Sequence, residues 1–271
     1  RDLHLSLRRQ RQMCIRDRPD GELELNHCEP RLVTTGQLYS PIADIGMVSA
    51  VWHGIDEGDV DKVWIPDHDC CSGRLAANDS EIVIDEHAVD ALKIALGDTV
   101  RISAGGGFSL DYTVVGIGYH SNHLWFATDG EIVPAQPGTF VTGYMTSEGL
   151  EKIANYSAGA SNQLLLDIVG TPDSQDPENS GLSTLKENIS AIVVEVDDSP
   201  MIVYDRSGVD SVELLRADAE GAMKMYPVVT GMIAVVAGIT IFLSLQRLIQ
   251  SQAKEIAVLR TLGVRLSLIH I

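Results

Sequence analysis

MYPVVTGMIAVVAGITIFLSLQ, residues 225–246, decides how the rest of the chain is read. No charge occurs between Lys224 and Arg247. As a helix this stretch rises about 33 Å, enough to cross a hydrocarbon core of about 30 Å. Pro227 stands near its start, where a missing N–H costs least. Tyr226 falls at the level of the headgroups. A buried helix of a soluble protein would carry a polar stripe at this length, and this stretch has none. It is therefore read as one transmembrane helix. Gly231, Ala234, Ala237 and Gly238 lie close to one helical face. Such a face suits close packing against another membrane helix, and Gly231, Ala234 and Gly238 are the packing candidates.

Charge on either side sets the expected orientation. Arg247, Lys254, Arg260 and Arg265 follow the span, opposed only by Glu255. Between Pro19 and Met225, ten Lys+Arg stand against 35 Asp+Glu. Positive residues stay on the cytoplasmic side, so residues 247–265 are expected in the cytoplasm and residues 19–225 outside the plasma membrane of a prokaryote. An outer region this acidic repels nucleic acid.

Both ends look foreign. Residues 1–18 read RDLHLSLRRQRQMCIRDR and resemble a translated sequencing adapter; the last six, LSLIHI, resemble its end read from the opposite strand. Pro19–Arg265 is then the native stretch, with further chain expected on both sides. The expected division is 1–18 adapter, 19–216 outer domain, 217–246 membrane helix with its lead-in, 247–265 cytoplasmic segment, and 266–271 adapter.

The outer region alternates strands with short helices. Strands are predicted at Arg31–Thr35, Met47–Trp52, Asp61–Ile65, Glu81–Ile84, Leu124–Ala127, Thr139–Met145, Gln163–Val169 and Ala191–Val196. Thr99–Ser103 and Ser109–Gly118 form a hairpin across Gly105-Gly106-Gly107. Asp85–Leu96 reads as a helix with Ala88, Ala91, Leu92 and Ala95 on one face. Thr146 caps a helix running to Asn155, with Glu148 favourable in its first turn. Thr171–Gly181 reads as a polar loop, Leu182–Ser190 as a short helix, and a helix from Val209 leads into the span. The fold class is an α+β extracytoplasmic domain with mixed sheets, in two subdomains, followed by one transmembrane helix.

Candidate chemistry is sparse. The triple glycine lacks the Lys-Ser/Thr of a phosphate loop and has no following helix. Asp67-His68-Asp69-Cys70-Cys71 is the densest cluster of potential ligands. Adjacent residues of an extended chain point opposite ways, and zinc sites draw spaced ligands from two segments, so no metal site is assigned. Cys14 belongs to the adapter. Cys28, Cys70 and Cys71 are left as thiols, or as a bridge from Cys28 to one of the pair. His120 and His123 are placed in a solvated loop. No catalytic or cofactor-binding residue is assigned, and no cofactor is expected.

The tail LQRLIQSQAKEIAVLRTLGVR, residues 245–265, resembles the segment after the second membrane helix of the FtsX/MacB-like permeases of ABC transporters. The shared motif is Glu-Ile-x-x-Leu-Arg-x-Leu-Gly, here Glu255, Ile256, Leu259, Arg260, Leu262 and Gly263. SGRLAANDSEIVIDEHAVDALKIALGDTVRI, residues 72–102, is similar to a stretch of the same family's outer domain through Gly73, Arg74, Glu81, Gly97, Asp98 and Val100. WHGID at 52–56 and YTVVGI at 112–117 also fit. Asp67–Cys71 has no counterpart there. The resemblance implies a permease subunit that is not itself an enzyme. Its partners would be a cytoplasmic ABC ATPase, a second permease protomer and the membrane. Cycles of ATP hydrolysis below would then move the outer domain, for export, lipoprotein release or mechanotransmission. The tail motif is the ATPase-coupling candidate: Ile256, Leu259 and Leu262 fall at helical spacing. The rival reading is a single-span, membrane-anchored receptor or binding protein with an acidic outer domain.

Overall fold

Apolar alternation along Met47–Gly54 places Val48, Ala50 and Trp52 on one face, and all three are buried. In the computed structural model this strand is β3, one wall of a closed barrel. The structure describes residues 25–39, 45–67, 70–105, 108–123, 135–170, 180–196 and 202–263. Both adapter-like ends, residues 19–24, Gly106 and Gly107, the expected Leu124–Ala127 strand and residues 171–179 of the expected loop lie outside these ranges.

Strands β1 (Leu25–Arg31), β2 (Val33–Tyr39), β3 (Met47–Gly54), β4 (Ser72–Gly73) and β5 (Glu81–Asp85) precede helix α1 (Glu86–Leu92). Then follow β6 (Thr99–Ala104), β7 (Phe108–Gly118), β8 (Phe140–Met145), α2 (Ser147–Ala154), β9 (Gln163–Ile168), α3 (Ser180–Val196) and α4 (Asp210–Thr261). The larger sheet runs β4-β7-β5-β8-β3-β2-β6, and β6 pairs back onto β7. Six strands therefore close a ring, which removes the sheet edges that would otherwise stay unpaired. β3 runs parallel to β8 and β5 parallel to β7; the other pairs are antiparallel. The length of β7 permits this. Its first half, Phe108–Thr113, pairs with β6, and Gly116 and Ile117 pair with β4. β1 and β9 form a separate two-stranded antiparallel sheet.

Trp52 organises the barrel interior. It is fully buried among Leu38, Ile82, Ile84, Ile102 and Val141. Its indole N–H donates to the carbonyl of Ser103 at 2.8 Å. The ring fits because Gly36 and Gly143 flank it: a Cβ at Gly143 would stand 2.6 Å from ring atom Cζ3, and one at Gly36 would collide with the pyrrole edge.

Both short helices carry a side-chain cap, at Thr146 as expected and at Asp85, which was expected inside the helix. Asp85 accepts from the His87 N–H at 3.1 Å and Thr146 Oγ1 from the Gly149 N–H at 3.1 Å. Leu150 and Ile153 of α2 are fully buried, each contributing about 1.5–3 kcal/mol by leaving water. α1 ends at Leu92 rather than Leu96, because Lys93 adopts a left-handed conformation, φ 53°. Asp61–Ile65 is no strand; it makes one isolated bridge, Trp64 to Tyr119.

Residues 191–196 are helical, the last turns of α3, where a strand was expected. A β-branched run costs a helix only tenths of a kcal/mol per residue. A helix already nucleated from Ser180 gains a hydrogen bond with each added residue. Ser180 and Gly181 likewise belong to α3 and not to the expected loop.

The chain is thus α+β with mixed sheets, followed by one long apolar helix. It divides into two compact units, residues 1–214 and 215–271. α4 spans 52 residues and contains an 18-residue window of mean hydropathy 2.4, none of it buried. By length and composition it suffices to cross a membrane.

Candidate functional site

The tail motif occupies the end of α4. Glu255, Ile256, Leu259 and Arg260 are helical, while Leu262 and Gly263 follow the last helical residue, Thr261. Gly263 has φ 78°, and its N–H donates to the Arg260 carbonyl at 3.1 Å. That is a glycine termination, as the motif implies. Ile256, Leu259 and Leu262 are 37%, 41% and 74% exposed, so this apolar face is open to a partner. Gly231, Ala234 and Gly238 lie mid-helix, with open space where a Cβ at either glycine would stand.

The family-like residues of the outer domain build its frame. Arg74 grips Glu81 with two hydrogen bonds of 2.6 Å, and Glu81 also accepts from the Ala77 N–H at 2.9 Å. This guanidinium fork holds the Glu81 carboxyl at about 2. Asp98, beside Gly97, accepts from the Ala95 N–H at 2.8 Å and closes the turn into β6. Val100 is buried in the barrel.

At the cysteine pair the structure corrects the sequence expectation. Cys70 and Cys71 are joined as a vicinal disulfide, and none of the described cysteines is free. Their side chains do not diverge, because Cys70 lies in a turn and only Cys71 begins the extended run into β4. Cys71 Sγ lies 3.8 Å from Glu86 Oε2. The ligand atoms of Cys70, Cys71 and Glu86 fall within 4.8 Å of one another. Bonded to each other the sulfurs have no thiolate to offer, so this trio could hold a metal only when reduced. His68 and Asp69 lie outside the described residues.

The densest polar cluster was not foreseen. His53 follows Trp52, so alternation turns it to the outer face of the barrel wall. Tyr144 pairs with it in the parallel β3–β8 register. Residues 55–65 cover this face: Ile55 and Val63 pack with Val83 and Tyr144 in a second apolar cluster. His120 follows β7, and His123 ends a one-turn 3-10 helix, Ser121–His123. Ring centroids lie 4.7 Å apart for His53–His123 and 5.5 Å for His120–His123. Instead of a solvated loop, the structure buries His120 to 1% exposure and His53 to 8%.

Two polar chains leave the cluster. His123 Nδ1 is 2.9 Å from the Tyr144 hydroxyl, which donates to Asp85 Oδ2 at 3.3 Å. Asp85 Oδ1 in turn meets His87 Nδ1 at 2.6 Å. A carboxylate only accepts, so the partners assign the His123 proton to Nδ1. On the other side, His120 Nε2 stands 3.1 Å from Asp61 Oδ1, an ion-pair distance without hydrogen-bond alignment. Arg31 donates to Asp61 Oδ2 at 2.8 Å and to Glu29 Oε1 at 2.5 Å. Arg31 Nε and His53 Nε2 are buried without a hydrogen-bond partner among the described residues.

These surroundings set the charge states. Burial pushes His53 well down, and the neighbouring His123, His120 and Arg31 add to it. Burial lowers His123 to about 4, helped by His120 and Arg31. Burial raises Tyr144, and the Asp85 carboxylate raises it further. Burial would raise Asp61, but contact with His120 and Arg31 outweighs it and holds the carboxyl at about 2. The signal for this cluster was present as His120-x-x-His123 beside a strand end. That His53 joins it depends on a contact across many residues of chain.

No family model matches the sequence, and no curated protein matches it. Solved structures are similar to it, among them the following two. The periplasmic region of MacB from Actinobacillus actinomycetemcomitans is 13% identical, with a TM-score of 0.37 over 69% of this chain and 73% of that one. A domain of a protein described as a permease, from Porphyromonas gingivalis, is 11% identical, with a TM-score of 0.30 over 70% of this chain and 85% of that one. At these scores neither likeness assigns a family or an activity.

Proposed function

We propose that this chain is part of the permease subunit of an ABC transporter, and that it is not itself an enzyme. The acidic α+β domain lies outside the plasma membrane, α4 crosses it, and the tail meets a cytoplasmic ATPase. A second permease protomer packs on the small-residue face of the span. The observation that carries the reading is α4: one helix holds both the apolar span and the start of the Glu255–Gly263 motif, and its terminal apolar face is exposed. Pro227 lies inside this helix, but beyond it residues 228–261 hold no further proline, so the span and the tail can move as one helical segment, which is what coupling ATP hydrolysis to an outer domain requires.

The test is Leu259→Asp in the full-length transporter. A charge buried without a partner at a desolvated contact costs several kcal/mol. The variant should insert normally yet lose co-purification of the ATPase, or hydrolyse ATP without transport. Normal ATPase binding and transport would instead mean that the tail is only a topological anchor and that Leu259 faces water.

A further inference from the structure

We propose that His53, His120 and His123 form a pH-operated latch on the first turn of α4. With His53 and His123 neutral, the three imidazoles pack together on the barrel wall and hold the 120–123 turn in place. Protonated, they release it, and the start of α4 with it. This holds for a permease or a receptor alike.

The link to α4 is a direct bond. Ser211, in the first turn of α4 and 1% exposed, donates its hydroxyl to the Asn122 carbonyl at 2.6 Å. Asn122 is itself held by a histidine: its N–H donates to His120 Nδ1 at 3.2 Å. An imidazole nitrogen accepts only while unprotonated. A proton on His120 Nδ1 turns that acceptor into a donor facing an N–H, and the bond positioning Asn122 is lost. His123, at the other end of the turn, already uses its Nδ1 proton on Tyr144. A second proton there makes a buried cation beside His53, His120 and Arg31.

The charged and titratable groups around the cluster come from every element packed on it. β1 contributes Arg31 and Glu29, with His27 3.6 Å from Glu29. The covering segment contributes Asp61, and Asp59 near Glu29. β5 contributes Asp85, α1 His87 and β8 Tyr144. Glu29 and Asp61 are both engaged by Arg31, and Asp85 by His87 and Tyr144. Asp61 also stands 3.1 Å from His120 Nε2 and compensates a proton there, so the costly imidazolium is the one on His123, where burial, His120 and Arg31 outweigh Asp61.

The sign follows from the lowered histidines. A released turn protonates near 6.5, while the packed His123 resists to about 4. The packed form is therefore fully favoured above 6.5 and loses ground as pH falls from there toward 4. For His123 alone, the opening equilibrium rises about twentyfold between pH 7 and pH 5.

Amide hydrogen exchange on the full chain in detergent tests this, after correction for the intrinsic pH dependence of exchange. From pH 7 to pH 5, residues 118–123 and 209–214 should lose protection together while 99–104 in the barrel keeps it. Unchanged protection at pH 5 would overturn the latch. So would loss of protection at 99–104 in step with the others, since that is whole-domain acid unfolding. Ser211→Ala supplies a second arm that leaves the barrel untouched. It should expose 209–214 at both pH values while 118–123 still responds. Wild-type protection of 209–214 in this variant would show that Ser211 does not tie α4 to the turn. A combined His53→Gln, His120→Gln, His123→Gln chain that folds should show no response, and a retained response would place the sensor elsewhere.

Discussion

Trp52 shows how one side chain constrains distant backbone. Its ring fills the space between Gly36 on β2 and Gly143 on β8, and its N–H satisfies a carbonyl on β6. Overpacking a filled core costs about 1–3 kcal/mol. Gly143→Val should therefore lower the stability of the outer domain by that order, read as a lower denaturant midpoint, with Gly143→Ala in between. An unchanged midpoint for Gly143→Val would mean that the ring has room to move. His53, the next residue, has the opposite fate. It leaves the barrel interior yet is buried all the same, because a second layer lies over the wall. Chain alternation predicts the direction of such a side chain and says nothing of what covers it.

At the scale of elements, α4 joins a polar start, an apolar middle and a basic end. The orientation proposed for α4 across a membrane rests on that order. Single cysteines at Ser183 and Ser251, in a background without native cysteines, report on it in intact cells. Ser183, exposed on α3, should react with an impermeant reagent and Ser251 should not. The reverse pattern would invert the topology. The Thr146 cap was legible beforehand, since it bonds to an amide three residues away; Asp85, read as the first helical residue, caps α1 instead. The 191–196 strand was misread, because β-branched composition reports a preference that an existing helix overrides.

At the scale of the molecule, the closed barrel gives residues up to 214 a core of their own. Pro19–Arg216 expressed alone should stay soluble and melt in a single cooperative transition. Recovery only as aggregate would mean that the domain depends on chain beyond that segment. Its acidity favours solubility, since a net charge far from zero keeps molecules apart.

Some of this protein is written in local pattern: the uncharged 225–246 run, the period-two strands, the helix caps, the Gly263 stop. Each depends on residues within a turn or two of one another, so the chain alone determines it. Barrel closure sets β2 beside β6 and β3 beside β8, strands far apart in the chain. The same long-range pairing carries Tyr144 to His53, and residues 55–65 then seal the face. Burial is a property of what arrives from elsewhere in the chain. Only the tertiary structure could therefore turn three ordinary histidines into packed neighbours beside the first turn of α4.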